Sequence, residues 1–198
     1  MPAQNQQPFV IVAGVTDVYV APVGTEFPDV DAAKSTFGTE WRYLGHTDGG
    51  CKVGHAQTIV ELRTDQVTAP VKGVRSEESL SITFNLAEVT PENYALALNQ
   101  AIAGPTTDGD NKVVSLYRGG FGVETVAMLV RGDHLSPEGD FNLQYEVNAA
   151  YQSGSPEVDY VKDAKAVLAC QFNVIAAEAF SGSATDADIF GCLRVGTS

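Results

Sequence analysis

The side chains that most often do chemistry in proteins are sparse in this sequence. Histidine occurs only at positions 46, 55 and 134, so any histidine-based catalytic dyad or triad must use one of them. His46, Cys51 and His55 have the spacing H-x4-C-x3-H, which matches no common zinc pattern and lacks a fourth ligand. Neither a G-x-S-x-G nucleophile motif nor an H-E-x-x-H motif occurs. The sequence therefore predicts no catalytic residue, no metal and no cofactor.

Two loop-like segments resemble ligand-binding loops only superficially. The glycine-rich stretch 119–122 is not followed by Lys-Ser/Thr and is flanked by strand-like sequence, so it predicts a hairpin turn rather than a phosphate loop. The stretch 108–111 (DGDN) lacks the spaced ligands and terminal glutamate of a calcium loop. It predicts a tight turn.

The charge balance excludes a protein that grips nucleic acid. Asp and Glu number 25 against 12 Lys and Arg, a formal net charge of −13 in 198 residues. Nucleic acid binding relies on Lys and Arg, which release counterions from phosphates. An acidic surface repels phosphates over a Debye length of about 8 Å at physiological salt, so the charge is compatible with a protein that DNA slides past.

The size and composition predict one globular domain over residues 1–198, with a flexible N-terminal arm at about 1–14 that orders on contact with a neighbour. The N-terminus has no basic leader, and its apolar run is too short for a membrane segment. Three cysteines are too few and odd in number for a disulfide framework, and Cys170 lies in an apolar alternation. We expect reduced thiols and a protein made in a reducing cytosol.

Alternating short strands with one convincing helix predict a mainly β fold, an antiparallel sandwich or barrel. Val15–Pro22 and the short stretch Trp41–Gly45 read as strands, and residues 23–40 as a loop. A helix is predicted over about 91–103, because Thr90 can cap it, Pro91 suits its first position and Gly104-Pro105 ends it. Residues 112–118 and 123–131 are predicted to form a hairpin.

Phe141–Tyr151 is the clearest strand. Its odd-numbered residues, from Phe141 to Tyr151, are apolar and share one face, which we expect to be buried. The other face carries Asn142, Gln144, Glu146 and Asn148, which are polar but almost uncharged. Such a face suits either a solvated surface or the wall of an aqueous channel.

A long arm at about 64–78 joins two further alternating strands. Charged residues in it are interrupted by Pro70 and by exposed-looking valines. Apolar side chains on a long surface segment are unfavourable unless a partner covers them, since burial is worth about 25 cal/mol per Å². We therefore predict that the arm contacts another subunit, through Arg63, Asp65, Gln66, Val67, Pro70, Val71, Lys72, Val74, Arg75 and Glu77.

The run ELRTDQVTAPVKGVRSEESLSITF (61–84), together with WRYLGHTD (41–48) and PENYALALNQ (91–100), resembles the major tail tube proteins of long-tailed, non-contractile bacteriophages. The resemblance implies a β-sandwich or barrel flanked by a helix, without catalytic residues. It also implies hexameric rings that stack into a tube carrying DNA from capsid to host, and an arm that makes contacts between subunits and stacked rings.

The resemblance further implies a virion protein, assembled in the host cytoplasm, whose partners are itself, the tape measure, terminator and distal tail proteins, and double-stranded DNA that passes without specific binding. On that basis Asn142, Gln144, Glu146 and Asn148 are candidates to line or approach the lumen. Two alternatives remain open from sequence: a monomeric β-sandwich binding or decoration module, and a terminator-type tube protein.

Overall fold

The computed structural model describes residues 14–100, 105–116, 122–134, 141–176 and 190–196, without the side chains of residues 133, 134 and 141. It has ten strands and one α-helix in these ranges: β1 Thr16–Pro22, β2 Arg42–Tyr43, β3 Thr47–Thr64, β4 Val67–Leu86, α1 Pro91–Ala97, β5 Thr106–Asp108, β6 Asn111–Val113, β7 Val126–His134, β8 Phe141–Gln152, β9 Leu168–Val174 and β10 Gly191–Val195. The predicted N-terminal arm lies outside the described residues apart from Gly14.

Eight strands form one antiparallel sheet in the order β2-β1-β7-β8-β9-β4-β3, with β10 also paired to β8. One edge of β8 is therefore shared, with β10 beside residues 143–147 and β9 beside residues 150–152. The sheet bends, because Val18 of β1 and Ile82 of β4 belong to one core cluster although three strands lie between β1 and β4 in the sheet. Over the described residues it does not close into a barrel, and the predicted mainly β antiparallel class with a flanking helix is confirmed.

The inner face of the bent sheet encloses the main hydrophobic core. Alternation delivers its residues: on β9, Leu168, Cys170 and Phe172 are buried while the residues between them face outward. Phe172 stacks on Phe84 of β4, with ring centroids 5.9 Å apart. The buried members of this core are Val18, Val20, Leu44, Ile82, Phe84, Leu86, Leu96, Ala97, Val126, Met128, Val130, Val147, Ala150, Leu168, Cys170, Phe172 and Val174.

Helix α1 begins as predicted but ends earlier. Thr90 Oγ1 accepts from Asn93 N at 3.2 Å, and Pro91 occupies the first position. The predicted end at residue 103 is wrong, because the helix stops at Ala97 and Asn99 takes a left-handed conformation with φ +54°. Asn99 there exchanges two hydrogen bonds with the backbone of Gln152, so a contact with β8 overrides the local helical pattern.

The predicted hairpin of residues 112–118 with 123–131 is also wrong. Strand β6 pairs back with β5 around the predicted tight turn at 108–111, where Gly109 has φ +59°. Strand β7 instead lies between β1 and β8. Turn chemistry at Gly109 therefore determined the local pairing, and residues 117–121 lie outside the described part of the chain.

Replacement of Phe172 by alanine tests the inner core. The side chain is 1% exposed, so F172A leaves a cavity and lowers the free energy of unfolding by about 3–5 kcal/mol. Urea unfolding followed by circular dichroism measures the change. Tyr160→Ala serves as a control, because Tyr160 is 80% exposed. A loss below about 1 kcal/mol in F172A would contradict the assigned core.

Candidate assembly surface

Strands β3 and β4 form a hairpin that extends far beyond the sheet. The two strands pair from Thr47–Leu86 to Thr64–Val67, whereas β9 lies beside β4 only over residues 81–86. The 14 residues of β4 from Val67 to Leu80 thus have β3 as their only neighbouring strand in the described structure. At about 3.3 Å per residue, this free part is roughly 45 Å long.

The arm predicted at about 64–78 is the distal part of this hairpin. Its backbone continues the two strands, since β3 extends to Thr64 and β4 begins at Val67, with Asp65 and Gln66 in the turn. Pro70 lies where the ladder is shifted, between the pairs Leu62–Lys72 and Thr64–Val67. Its missing N–H therefore interrupts no regular pair, which is how a proline-containing sequence remains a strand.

Irregularities in the ladder bend the hairpin at two places. At its base, Gly49 and Gly50 are two extra residues with φ of +78° and +83°, a conformation that favours glycine. Farther out, Ser76 is an extra residue in β4, and its Oγ donates to Thr58 O at 3.2 Å. A bulge of this kind increases local twist, so it changes the direction of the distal hairpin.

Both faces of the hairpin expose apolar side chains. Val60 and Val74 are cross-strand partners, and Leu62 lies on the same face two residues farther along β3. Ile59 and Val71 occupy the opposite face by the same alternation. Together with Val67, these side chains are 40–56% exposed. We call the set Ile59, Val60, Leu62, Val67, Val71 and Val74 the hairpin patch.

Charged residues alternate with the hairpin patch. Arg63 Nη2 lies 2.8 Å from Glu61 Oε2, and Arg75 pairs with Glu78. These pairs are solvent-exposed, so each contributes little to the stability of the isolated subunit. Their alternating sign gives the surface a specific charge pattern that a partner would have to match.

Two long strand edges are open. In the part of the chain that the structure describes, the outer edge of β3 and the outer edge of β10 have no strand beside them. Open edges present unpaired N–H and C=O groups and readily pair with another chain. The sheet is therefore able to continue into a neighbouring subunit.

The polar face of β8 is buried, which corrects the sequence interpretation. Gln144, Glu146 and Asn148 are at most 2% exposed, and Asn142 is half-buried. Residues 23–40, predicted as a loop, pack over this side of the sheet, and Gln144 Nε2 donates to Pro28 O at 2.8 Å. We call residues 23–40 the strap. The prediction that these β8 side chains are solvated is wrong, because alternation identifies a face but not what covers it.

The strap is held by a second hydrophobic cluster on the outer face of the sheet. Tyr19, Ala21, Trp41, Ala127 and Leu129 are its buried members, with Phe27 and Phe37 packed against them. Trp41 Nε1 donates to Glu26 O at 2.9 Å. The aromatic residues Phe27, Phe37 and Trp41 are the sequence signal that could have indicated this packing, since a solvated loop has little need of them.

Glu146 is the centre of a buried polar network beneath the strap. Its carboxylate accepts from Gln144 Nε2 at 2.7 Å, pairs with Arg194 Nε at 2.8 Å and accepts from Cys192 Sγ at 3.1 Å. Burial, together with the neighbouring Glu146 carboxylate, raises the pKa of Cys192 to about 11. The network joins β8 to β10, so it fixes the edge strand to the sheet.

His46, Cys51 and His55, whose spacing was compared with zinc patterns in the sequence, do not form a metal site in the structure. His46 Nδ1 lies 2.7 Å from Glu88 Oε1, and this hydrogen bonding lowers the pKa of Glu88. Cys51 packs against the inner core, where burial raises its thiol pKa to about 12. Among the described residues, no group of three or more His, Cys, Asp or Glu side chains is arranged to hold a metal ion.

None of the helices in the described ranges has the length and apolar character that crossing a membrane requires. Comparison with known proteins gives one decisive result, because the family model described as phage tail tube protein matches residues 2–185. This chain belongs to the phage tail tube protein family. No curated protein matches it.

Family membership confirms the tail tube resemblance inferred from residues 41–48, 61–84 and 91–100. A tail tube protein is a structural, non-enzymatic component of the virion tail, and it assembles with copies of itself and with other tail proteins. Within the ranges that the structure describes, the long hairpin is an extended, exposed surface that is available for such assembly.

Removal of the Glu146 carboxylate tests the buried network. E146A leaves Cys192 and one of the two N–H groups of the Gln144 amide without their acceptor, while the other N–H still donates to Pro28 O. The free energy of unfolding falls by about 2 kcal/mol, less than for a fully buried pair because Arg194 is 44% exposed. Chemical denaturation measures the change, with the exposed Glu157→Ala as control. A change below about 0.5 kcal/mol would contradict the role assigned to Glu146.

Proposed function

We propose that copies of this protein form hexameric rings that stack into the tube of a long, non-contractile phage tail, through which DNA passes into the host cell. The observation that carries the proposal is the hairpin patch, which is exposed on both faces of a hairpin about 45 Å long. Elsewhere in the described fold, Leu96 and Ala97 of α1 pack in the inner core, and Phe27 and Phe37 of the strap pack on the outer cluster.

The hairpin suits a head-to-tail contact between identical subunits. A projecting element meets a different surface of the next copy, so the contact is heterologous and generates a ring if the rotation closes and a filament if it does not. Open edges on β3 and β10 provide further places where the sheet continues between subunits. Both features favour an extended assembly over an isolated binding module.

Within the hairpin, the predicted contact residues divide by chemistry. Val67, Val71 and Val74 supply apolar area, and Pro70 and Gln66 lie next to them near the turn. The charged residues Arg63, Asp65, Lys72, Arg75 and Glu77 surround that area. Apolar contact gives the association its free energy, and the charges select orientation and register.

The strap gives the proposed lumen a different lining from the one predicted. Gln144, Glu146 and Asn148 are buried on this side of the sheet, Asn142 is half-buried, and Gln144 bonds to the strap, so this side approaches the lumen through residues 23–40. The strap carries exposed acids at Glu26, Asp29, Asp31 and Glu40. As part of the acidic excess that gives the chain its net charge of −13, they repel DNA phosphates and allow passage without specific binding.

Assembly takes place in the host cytoplasm, and the tape measure, terminator and distal tail proteins are the proposed partners at the tube interior and ends. The exposed strap acids and the hairpin patch belong to different surfaces of the subunit, which allows one to face the DNA and the other to face a neighbouring subunit.

An aspartate pair in the hairpin patch tests self-assembly. V60D/L62D places two charges where the proposal buries apolar side chains, each worth about 1.5–3 kcal/mol, so the concentration needed for tube formation rises about tenfold or more. Pelleting and negative-stain electron microscopy across a concentration series measure assembly. The melting temperature of the monomer stays unchanged, because both side chains are already half exposed.

The matched control keeps both positions apolar. V60I/L62M should assemble as the wild type does, which separates loss of apolar contact from disturbance of the hairpin. Equal assembly by wild type and V60D/L62D would contradict the role of the hairpin patch. Wild-type protein that stays monomeric up to millimolar concentration would contradict self-assembly itself.

A further inference from the structure

An apolar cleft of about 570 Å³ opens beside the base of the hairpin. It is lined by Val53 and Leu80 of the hairpin base, by Tyr145 of β8 and by Leu193 of β10. Val53, Leu80 and Tyr145 pack against the inner core but are only half-buried, and Leu193 is 51% exposed. We call these four residues the base cleft.

The cleft opens where two strands share one edge of β8. Both β9 and β10 pair with that edge, but only β9 continues the sheet to β4. In the described ranges, β10 and β4 are not paired with each other. The strap packs on the opposite face of the sheet, where Gln144 bonds to Pro28. The base cleft is therefore left accessible by both the strap and the sheet.

The hairpin patch of the same subunit cannot fill the base cleft. Val60 lies seven residues beyond Val53 on β3, which is roughly 23 Å along an extended strand. The ladder with β4 continues through both positions, so it holds the patch away from the cleft. An occupant that resembles the hairpin patch has to come from another copy, and proteins of this family assemble with copies of themselves.

The hairpin is nearly neutral in a strongly acidic chain. Residues 59–78 carry four acids and three bases, whereas the rest of the chain carries 21 acids and nine bases. Two acidic copies repel each other where their acidic surfaces meet. A nearly neutral, partly apolar hairpin avoids most of this repulsion when it packs on a second copy.

The charges beside the two surfaces are complementary. Lys72 is the cross-strand partner of Leu62, so a base adjoins the apolar residues on that face of the hairpin. Glu78 lines the cleft and its side chain is 32% exposed. Lys72 of one copy is therefore suited to meet Glu78 of the next, which would select the register of the contact.

We propose that the base cleft of one subunit receives the hairpin face that carries Val60, Leu62 and Val74 in the next subunit. The inference rests on the proposed self-assembly and names the surface that the hairpin contacts. Two sheet faces pack about 10 Å apart through interdigitated side chains, and both surfaces here are faces of β-strands. The donor and receiver surfaces differ, so the contact is heterologous and repeats from copy to copy.

A variant on the receiving side tests the proposal without changing the hairpin. Leu193→Glu places a charge in the base cleft, so the concentration needed for tube formation rises about tenfold or more in pelleting assays. The melting temperature of the monomer stays unchanged, because Leu193 is half exposed. The matched control L193M keeps the position apolar and assembles as the wild type does.

The outcomes separate this inference from the proposed function. Normal assembly by L193E would overturn the assignment of the base cleft and leave tube formation intact. Wild-type protein that forms no tubes would overturn both.

Photo-cross-linking identifies the receiving surface directly. With p-benzoylphenylalanine in place of Leu62, we expect cross-links in assembled protein to peptides that contain Val53, Leu80 or Tyr145. In mixtures of ¹⁵N-labelled and unlabelled protein, these links join the two kinds of copy. Links to other peptides, or links confined to single copies, would overturn the proposal.

Discussion

A two-stranded antiparallel ribbon has no interior, and the assembly proposed for this subunit depends on that constraint. Side chains on both faces of the β3–β4 hairpin remain in water unless another molecule covers them, and an isolated hairpin is marginally stable. Here the hairpin carries the hairpin patch and continues for 14 residues past the last pair with β9. The sheet anchors its base through Phe84 and Ile82, so the distal part is held out in a defined direction.

The opposite arrangement holds at β8, where both faces are covered. It contributes Val147 and Ala150 to the inner core, and its polar face is covered by the strap at Gln144, with Glu146 bonded to three neighbours. A buried carboxylate is tolerated only with such partners. The central strand is therefore fixed on all sides, and it provides the rigid frame from which the hairpin projects.

The sequence predicts well the features that depend on residues close together in the chain, and it predicts poorly those that depend on residues far apart. The strand at β8 and the N-terminus of α1 depend on alternation and on the local cap at Thr90, and both were predicted closely. The early end of α1 depends on Asn99 bonding to Gln152, a contact between residues far apart in sequence. The covering of β8 by the strap and the continuous pairing of the hairpin were not predicted, for the same reason. Both are tertiary properties: one depends on what packs on a strand face, and the other on whether a proline fits a shifted ladder.

The family assignment fixes what the protein is, and the hairpin supplies a physical reason for its assembly. A helical reconstruction of assembled tubes by cryo-electron microscopy, at a resolution that separates strands, tests that reason most directly. The account predicts that Ile59, Val60, Leu62 and Val74 pack against a different subunit and lose their solvent exposure. A tube in which the hairpin patch faces solvent or folds back on its own subunit would contradict it.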